Sequence, residues 1–205
     1  MFNDVKIGDF MNSLASVEPV PGGGSAGALG GAMGAALVIM ALRISFKKSG
    51  LTEEAESFIS RLENDRIALE KLADLDSEAY ASVMKAFGMP KESEEDKSAR
   101  REAIQSALKH AAEIPMKTAE SCFRVMNSSF EAFGLCGDSC FSDAASGFCF
   151  ARTGFQCALF NVDINLSSIK DDDFVKSMRE RKSHMSAWLS EHESELEKVF
   201  SDRIA

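Results

Sequence analysis

From Pro21 to Phe46 the chain reads PGGGSAGALGGAMGAALVIMALRISF, in which small and apolar residues run almost unbroken for about 20 positions to Arg43. That pattern predicts one long, slender helix opening near Ser25, apolar on every side and so buried among neighbours. Before it, Phe10, Met11, Leu14 and Val17 recur at helical spacing within Val5 to Val17, predicting a short amphipathic helix that caps the Gly-rich one. After Lys48, SGL breaks the pattern, and Thr52 with Glu53 restarts a helix at an N-cap that runs to about Phe87. Its stripe carries Leu62, Leu69 and Val83, with Phe58, Leu72 and Phe87 beside them.

Asp76 breaks that stripe, standing where the heptad pattern asks for leucine. Tyr80, one turn on, shares its face, whereas Asp74 projects roughly 200° away onto the polar side. A buried carboxyl has a raised pKa and can exchange a proton near neutrality. A core aspartate satisfied by a hydrogen bond is the plainer alternative.

Gly88, Met89 and Pro90 end that helix, and Ser93 followed by Glu94, Glu95 and Asp96 opens the next. Ile104, Leu108, Ala111 and Ala112 carry its apolar side, and Pro115 is expected to kink or divide it. Phe130 to Leu135 reads as a connection into CGDSC, and Ser142 as the cap of the helix DAASGFCFARTGFQCALFNVDINL. On that helix Asp143, Gly147, Gly154, Ala158, Asn161 and Asn165 fall within roughly 60° of one another, a lane of small residues with an acid at one end and two amides at the other. Asp143 and Asn161 are about 27 Å apart along the axis, so they serve two ends of a long ligand or two sites across a subunit boundary. Tight packing is the alternative. A charged covering helix from Asp171 to Arg203 closes the chain.

Composition supports an all-α reading: the 205 residues include four prolines, one Tyr and one Trp, with few β-branched runs. The expectation is a single domain over residues 1–205, a bundle of long helices around the central Gly/Ala-rich one. A net charge of −9 without a Lys- or Arg-dominated helix argues against nucleic acid. An anionic ligand therefore needs a local basic pocket, for which Arg43, Lys47 and Lys48 are candidates, or else they simply complement the helix C-terminus. Five cysteines, an odd number, and an amino terminus MFNDVKIGDF without a signal pattern fit free thiols in the cytoplasm. Cys136 and Cys140 lack a nearby histidine in sequence, so no metal site is expected.

The PGGGS turn admits several chemistries. Gly22, Gly24 and Gly27 match GxGxxG literally, but SVEPVP is a poor strand to precede a dinucleotide site. Gly27/Gly31 and Gly30/Gly34 form GxxxG pairs within a run long enough to span a membrane. Against a span, the run is richer in Gly and Ala than in Leu, and the other helices need an internal partner for their apolar faces. What remains is a helix N-terminus free of obstructing side chains, suited to a carboxylate, a phosphate or a developing oxyanion.

PVPGGGSAGALGGAMGAAL, LADLDSEAY, SDAASG and FNVDINL occur in the order and spacing of the formimidoyltetrahydrofolate cyclodeaminase family, which the chain resembles over nearly its whole length. That family includes methenyltetrahydrofolate cyclohydrolases. The resemblance implies an all-α homodimer acting on a tetrahydrofolate derivative, with no metal or nicotinamide. It places the catalytic acid on Asp76, assisted by Tyr80, with Asp143 orienting a water or facing the cationic carbon. Asn161 and Asn165 would hold the pterin or formimidoyl group. Gly22, Gly23, Gly24 and Ser25, with Arg43 and Lys47, would receive the anionic, possibly polyglutamylated tail. A separate formiminotransferase is an implied partner. Cyclodeamination to 5,10-methenyltetrahydrofolate and ammonia is the expected reaction, with cyclohydrolysis at the same site as the alternative. Asp138 and Asp163 depart from the family pattern and keep open a non-catalytic folate-binding or partner module.

Overall fold

Residues 2–204 are described in the computed structural model of the chain. Among them are six α-helices: α1 Ile7–Leu14, α2 Gly23–Ser45, α3 Glu53–Phe87, α4 Glu94–Ala132, α5 Asp138–Leu166 and α6 Asp172–Ile204. Short 3-10 turns lie at Phe2–Asp4 and Phe133–Leu135, and no strand occurs among the described residues. The all-α expectation holds.

The hub is α2. Its glycines let two helices approach as close as backbone permits. A Cβ on Gly34 would lie 2.5 Å from the Gly147 carbonyl oxygen of α5, and one on Gly154 would lie 2.5 Å from the Gly27 oxygen of α2. On the next side, Gly31 faces Cys122 of α4 and Leu69 of α3. The facing pairs run in opposite senses, so α3 and α5 are both antiparallel to α2. By length and composition α2 could cross a membrane, yet 61% of its apolar window is buried against its own neighbours. Its outward side keeps Met33, Met40 and Ile44 exposed. A second focus of the core is aromatic, with Phe133, Phe141, Phe148 and Phe200 ring to ring under the end of α6.

Caps at Thr52 and Ser93 form as their sequence predicts, the latter as a full capping box with Asp96. The helix expected to open near Ser25 starts at Gly23, after Gly22, and Ser25 lies fully buried as the third helical residue. Three other expectations change. The amino-terminal helix stops at Leu14, leaving Val17 exposed to solvent. α5 begins at Asp138, four residues before the Ser142 cap read from the sequence, because Gly137 takes the extended cap conformation and donates its N–H to Ser45 Oγ at 2.8 Å. Finally, α4 passes through Pro115 undivided. Proline leaves the carbonyl four residues earlier without a helical donor; that carbonyl, on Ala111, instead accepts from Asn165 Nδ2 of α5 at 2.7 Å.

Close approach gives a test with opposite signs at two glycines of comparable helical setting. Gly154→Ala puts a methyl group against fixed backbone and should lower stability by about 1–3 kcal/mol. Gly30→Ala, where the nearest atom is 3.9 Å away, should raise it by about 0.5–1 kcal/mol. Urea unfolding of the two variants checks both; equal stability of Gly154→Ala and wild type would contradict the packing account.

Candidate functional site

At the amino-terminal end of α2 the carboxyl-terminal halves of α3 and α5 come together around a cavity of about 370 Å³. Gly22, Gly23, Gly24, Asp76, Tyr80, Asn161 and Asn165 all line it, with Ala111 of α4 and the Pro19–Val20 loop. α3 supplies Asp76 from within its stripe, which continues to the core at Ala79 and Val83, and the break in the heptad pattern marks the position.

Asp76 is seated on the first turn of α2. A Cβ at Gly24 would lie 2.2 Å from Asp76 Oδ1, so the carboxylate comes this near only because residue 24 has no side chain. Ser25 Oγ lies 3.1 Å from Asp76 Oδ2, 2.8 Å from the Ala73 carbonyl and 3.3 Å from Ser77 Oγ. One hydroxyl has one proton to donate. When Asp76 is ionised Ser25 can donate to it; when Asp76 is protonated it can donate to Ser25, which then turns to Ala73. Burial pushes the Asp76 carboxyl above its ordinary value, while the Ser25 hydroxyl and backbone N–H pull the other way without cancelling it.

Asn161 Nδ2 donates to the Cys157 carbonyl of its own helix at 2.9 Å, and Asn165 Nδ2 to Ala111. Each amide nitrogen thus gives one N–H to a backbone carbonyl, which leaves its second N–H and the amide oxygen for a ligand. Tyr80, 40% exposed, stands on the wall beside Val83, Met84 and Phe87. These apolar side chains, with Ile164 opposite, form a flank of which the sequence pattern had named Val83 and Phe87 as part of the apolar stripe. Ser77 and the Ala73 carbonyl had no signal of their own.

Other predicted residues are not brought to this cavity. Arg43 lies at the opposite end of α2, about 28 Å from Gly24 along the axis, and Lys47 lies beyond that end. They line a separate cleft with Glu63 and Arg66, and Arg43 pairs with Glu63 at 3.2 Å. In one chain, therefore, they do not join the GGGS turn around a ligand. Asp143 is likewise about 27 Å along α5 from Asn161. Between its two ends the lane serves packing, since Gly147 and Gly154 face α2. Asp74 does not face open solvent, for its Oδ1 accepts the Phe2 N–H at 2.8 Å. The two departures from the family pattern are each countered by α6: Asp138 pairs with Arg203 at 2.9 Å and Asp163 with Lys182. Among the described residues, no three His, Cys, Asp or Glu side chains group as metal ligands would.

A profile of the formiminotransferase-cyclodeaminase family matches residues 6–184. The chain is 32% identical over 203 residues to a methenyltetrahydrofolate cyclohydrolase of Methylorubrum extorquens, covering 98% of this chain and 96% of that one. It is 32% identical over 181 residues to the formimidoyltransferase-cyclodeaminase of Sus scrofa, covering 86% of this chain but only 33% of that longer protein. The crystal structure of a formiminotetrahydrofolate cyclodeaminase from Thermotoga maritima superposes with a TM-score of 0.88 at 28% identity, each chain covered in full. With its length, its helical order and its sequence all matched, the chain belongs to the formiminotransferase-cyclodeaminase family.

Proposed function

We propose that the chain is a folate one-carbon enzyme that closes 5-formimidoyltetrahydrofolate to 5,10-methenyltetrahydrofolate with release of ammonia. The observation that carries this reading is Asp76: a carboxyl that burial holds above its ordinary pKa, lodged on a helix N-terminus and lining a cavity with an apolar wall. The reaction asks for little more. N10 attacks the formimidoyl carbon, the N10–C bond forms, and the N10 proton must reach the departing nitrogen before its bond to carbon breaks. Asp76, entering ionised, takes the proton from N10 and delivers it to that nitrogen, so charge is conserved between amidinium substrate and methenyl product. The attack is intramolecular, so the cavity contributes by holding the folded conformer. Tyr80 and the Met84–Phe87 flank suit a flat heterocycle, the oxygens of Asn161 and Asn165 suit its N–H groups, and the α2 first turn suits the anionic end.

A second reaction at the same site is favoured by one observation, the near-complete match to a cyclohydrolase. There Asp76 would deprotonate a water attacking the methenyl carbon. A non-catalytic module has less support, because Asp138 and Asp163 are paired away by α6. The five cysteines are free thiols, which supports a cytoplasmic setting. The exposed apolar residues of α2 and α5, Met33, Met40, Phe150 and Phe160 among them, support a homodimer. Arg43, Lys47 and Asp143 would meet the cavity only if supplied by a second copy. The relative from Sus scrofa is about three times as long, which supports a separate formiminotransferase as supplier of the substrate.

Purified protein offered 5-formimidoyltetrahydrofolate should generate the methenyl chromophore together with ammonia. Accelerated loss of chromophore from 5,10-methenyltetrahydrofolate alone would instead assign the cyclohydrolase, and bound folate with neither change would sink both. The hydrodynamic mass of the same preparation should be about twice the 22.3 kDa of one chain; a monomer would remove the dimer.

Burial of Asp76 also makes stability depend on pH with a definite sign. Native protein holds this proton to higher pH than unfolded chain does, so its contribution is full below the ordinary value of 3.8 and is lost as pH rises through the native pKa. Asp76→Asn cannot ionise. Its urea midpoint relative to wild type should therefore climb from about pH 4 upward and then level off; a difference that is flat with pH would show that Asp76 has an unshifted pKa.

A further inference from the structure

We propose that Pro115 is a positioning residue for substrate recognition: by stripping the Ala111 carbonyl of its helical donor, it fixes the Asn165 amide with Oδ1 turned into the cavity. The inference rests on the folate reading above and extends it to a residue that does not itself face substrate. Proline inside a helix is costly, since it forfeits one hydrogen bond and crowds the preceding turn. Here it neither ends nor divides α4, which continues from Glu94 to Ala132. Its consequence is local. Ala111 is buried, so its carbonyl cannot be left to water without penalty, and Asn165 Nδ2 supplies the missing bond at 2.7 Å. A carbonyl accepts and cannot donate, so only the NH₂ end of the amide can face it. Asn165 and Ala111 both line the cavity that holds Asp76. Asn165 Oδ1 is therefore presented there as a fixed acceptor, selecting a ligand edge that carries N–H groups. In an ordinary helix the residue 115 N–H would already satisfy this carbonyl, and the Asn165 amide would be held in this sense less strongly.

The test is a double-mutant cycle on KM and kcat with Pro115→Ala, Asn165→Ala and the pair, each checked for native helicity. Pro115→Ala should raise KM about five- to tenfold while kcat stays within about twofold, the size expected for one misplaced hydrogen bond. In the pair, Asn165→Ala should add nothing to that rise, because both changes remove the same interaction. Unchanged KM in Pro115→Ala, or KM effects that multiply, would overturn the proposal. A readout independent of turnover separates this from the folate reading. In ¹⁵N-labelled protein the Asn165 side-chain amide, assigned by its loss in Asn165→Ala, should be protected from solvent exchange, and at least about tenfold less so in Pro115→Ala. Equal protection in the two proteins would overturn the positioning role, whereas wild type inert toward both folates would overturn the folate reading and leave the amide measurement to decide.

Discussion

Everything in this fold depends on how near other groups can come to α2. Across its first four turns it presents Gly24, Gly27, Gly31 and Gly34 to neighbours, and where a side chain would stand there is instead the Asp76 carboxyl, the Cys157 Cβ, the Cys122 sulfur or the Gly147 carbonyl. Helices with ordinary side chains pack with axes 8–10 Å apart, roughly the width of the residues between them. Glycine removes that spacer, and the dispersion gained from backbone contact replaces what bulky side chains would supply. The same absence of side chains that packs α5 onto the middle of α2 admits a carboxylate to its end. Fold and site are consequences of one compositional choice.

At that end two opposing influences act on Asp76. Loss of water disfavours its charge, and the donors of Ser25, together with the positive end of α2, favour it. Burial is the larger influence and leaves the pKa raised, with the Ser25 donors opposing it. A carboxyl held this way can both accept and return a proton, which an exposed aspartate at neutral pH does poorly. Ser25 is the hinge of the arrangement, since its one proton can follow whichever state Asp76 adopts.

Much of this was legible in the chain. The central helix followed from twenty-odd small residues, and Asp76 from one missing leucine in an otherwise regular stripe. What escaped has physical reasons. Ser25 marked where the helix opens, whereas its partners Ala73, Asp76 and Ser77, some fifty residues on, are beyond any local pattern. Pro115 suggested a break because its rescue by Asn165 comes from another helix, which no local rule can see. Arg43 and Lys47 were assigned to the ligand for their charge, although helix geometry alone sets Arg43 about 28 Å from Gly24, with Lys47 beyond that end of the helix. Phe87 was read with the buried stripe, although it is exposed, because an apolar stripe does not announce where its covering ends.

The pH dependence of turnover with 5-formimidoyltetrahydrofolate, compared between wild type and Asp76→Asn, is the most direct test of Asp76 as the proton carrier. Wild type should show an acidic limb with an apparent pKa above the ordinary aspartate value of 3.8. Asp76→Asn should lose that limb together with about 10²-fold or more in kcat. The same limb and near-normal kcat in the variant would contradict the assignment.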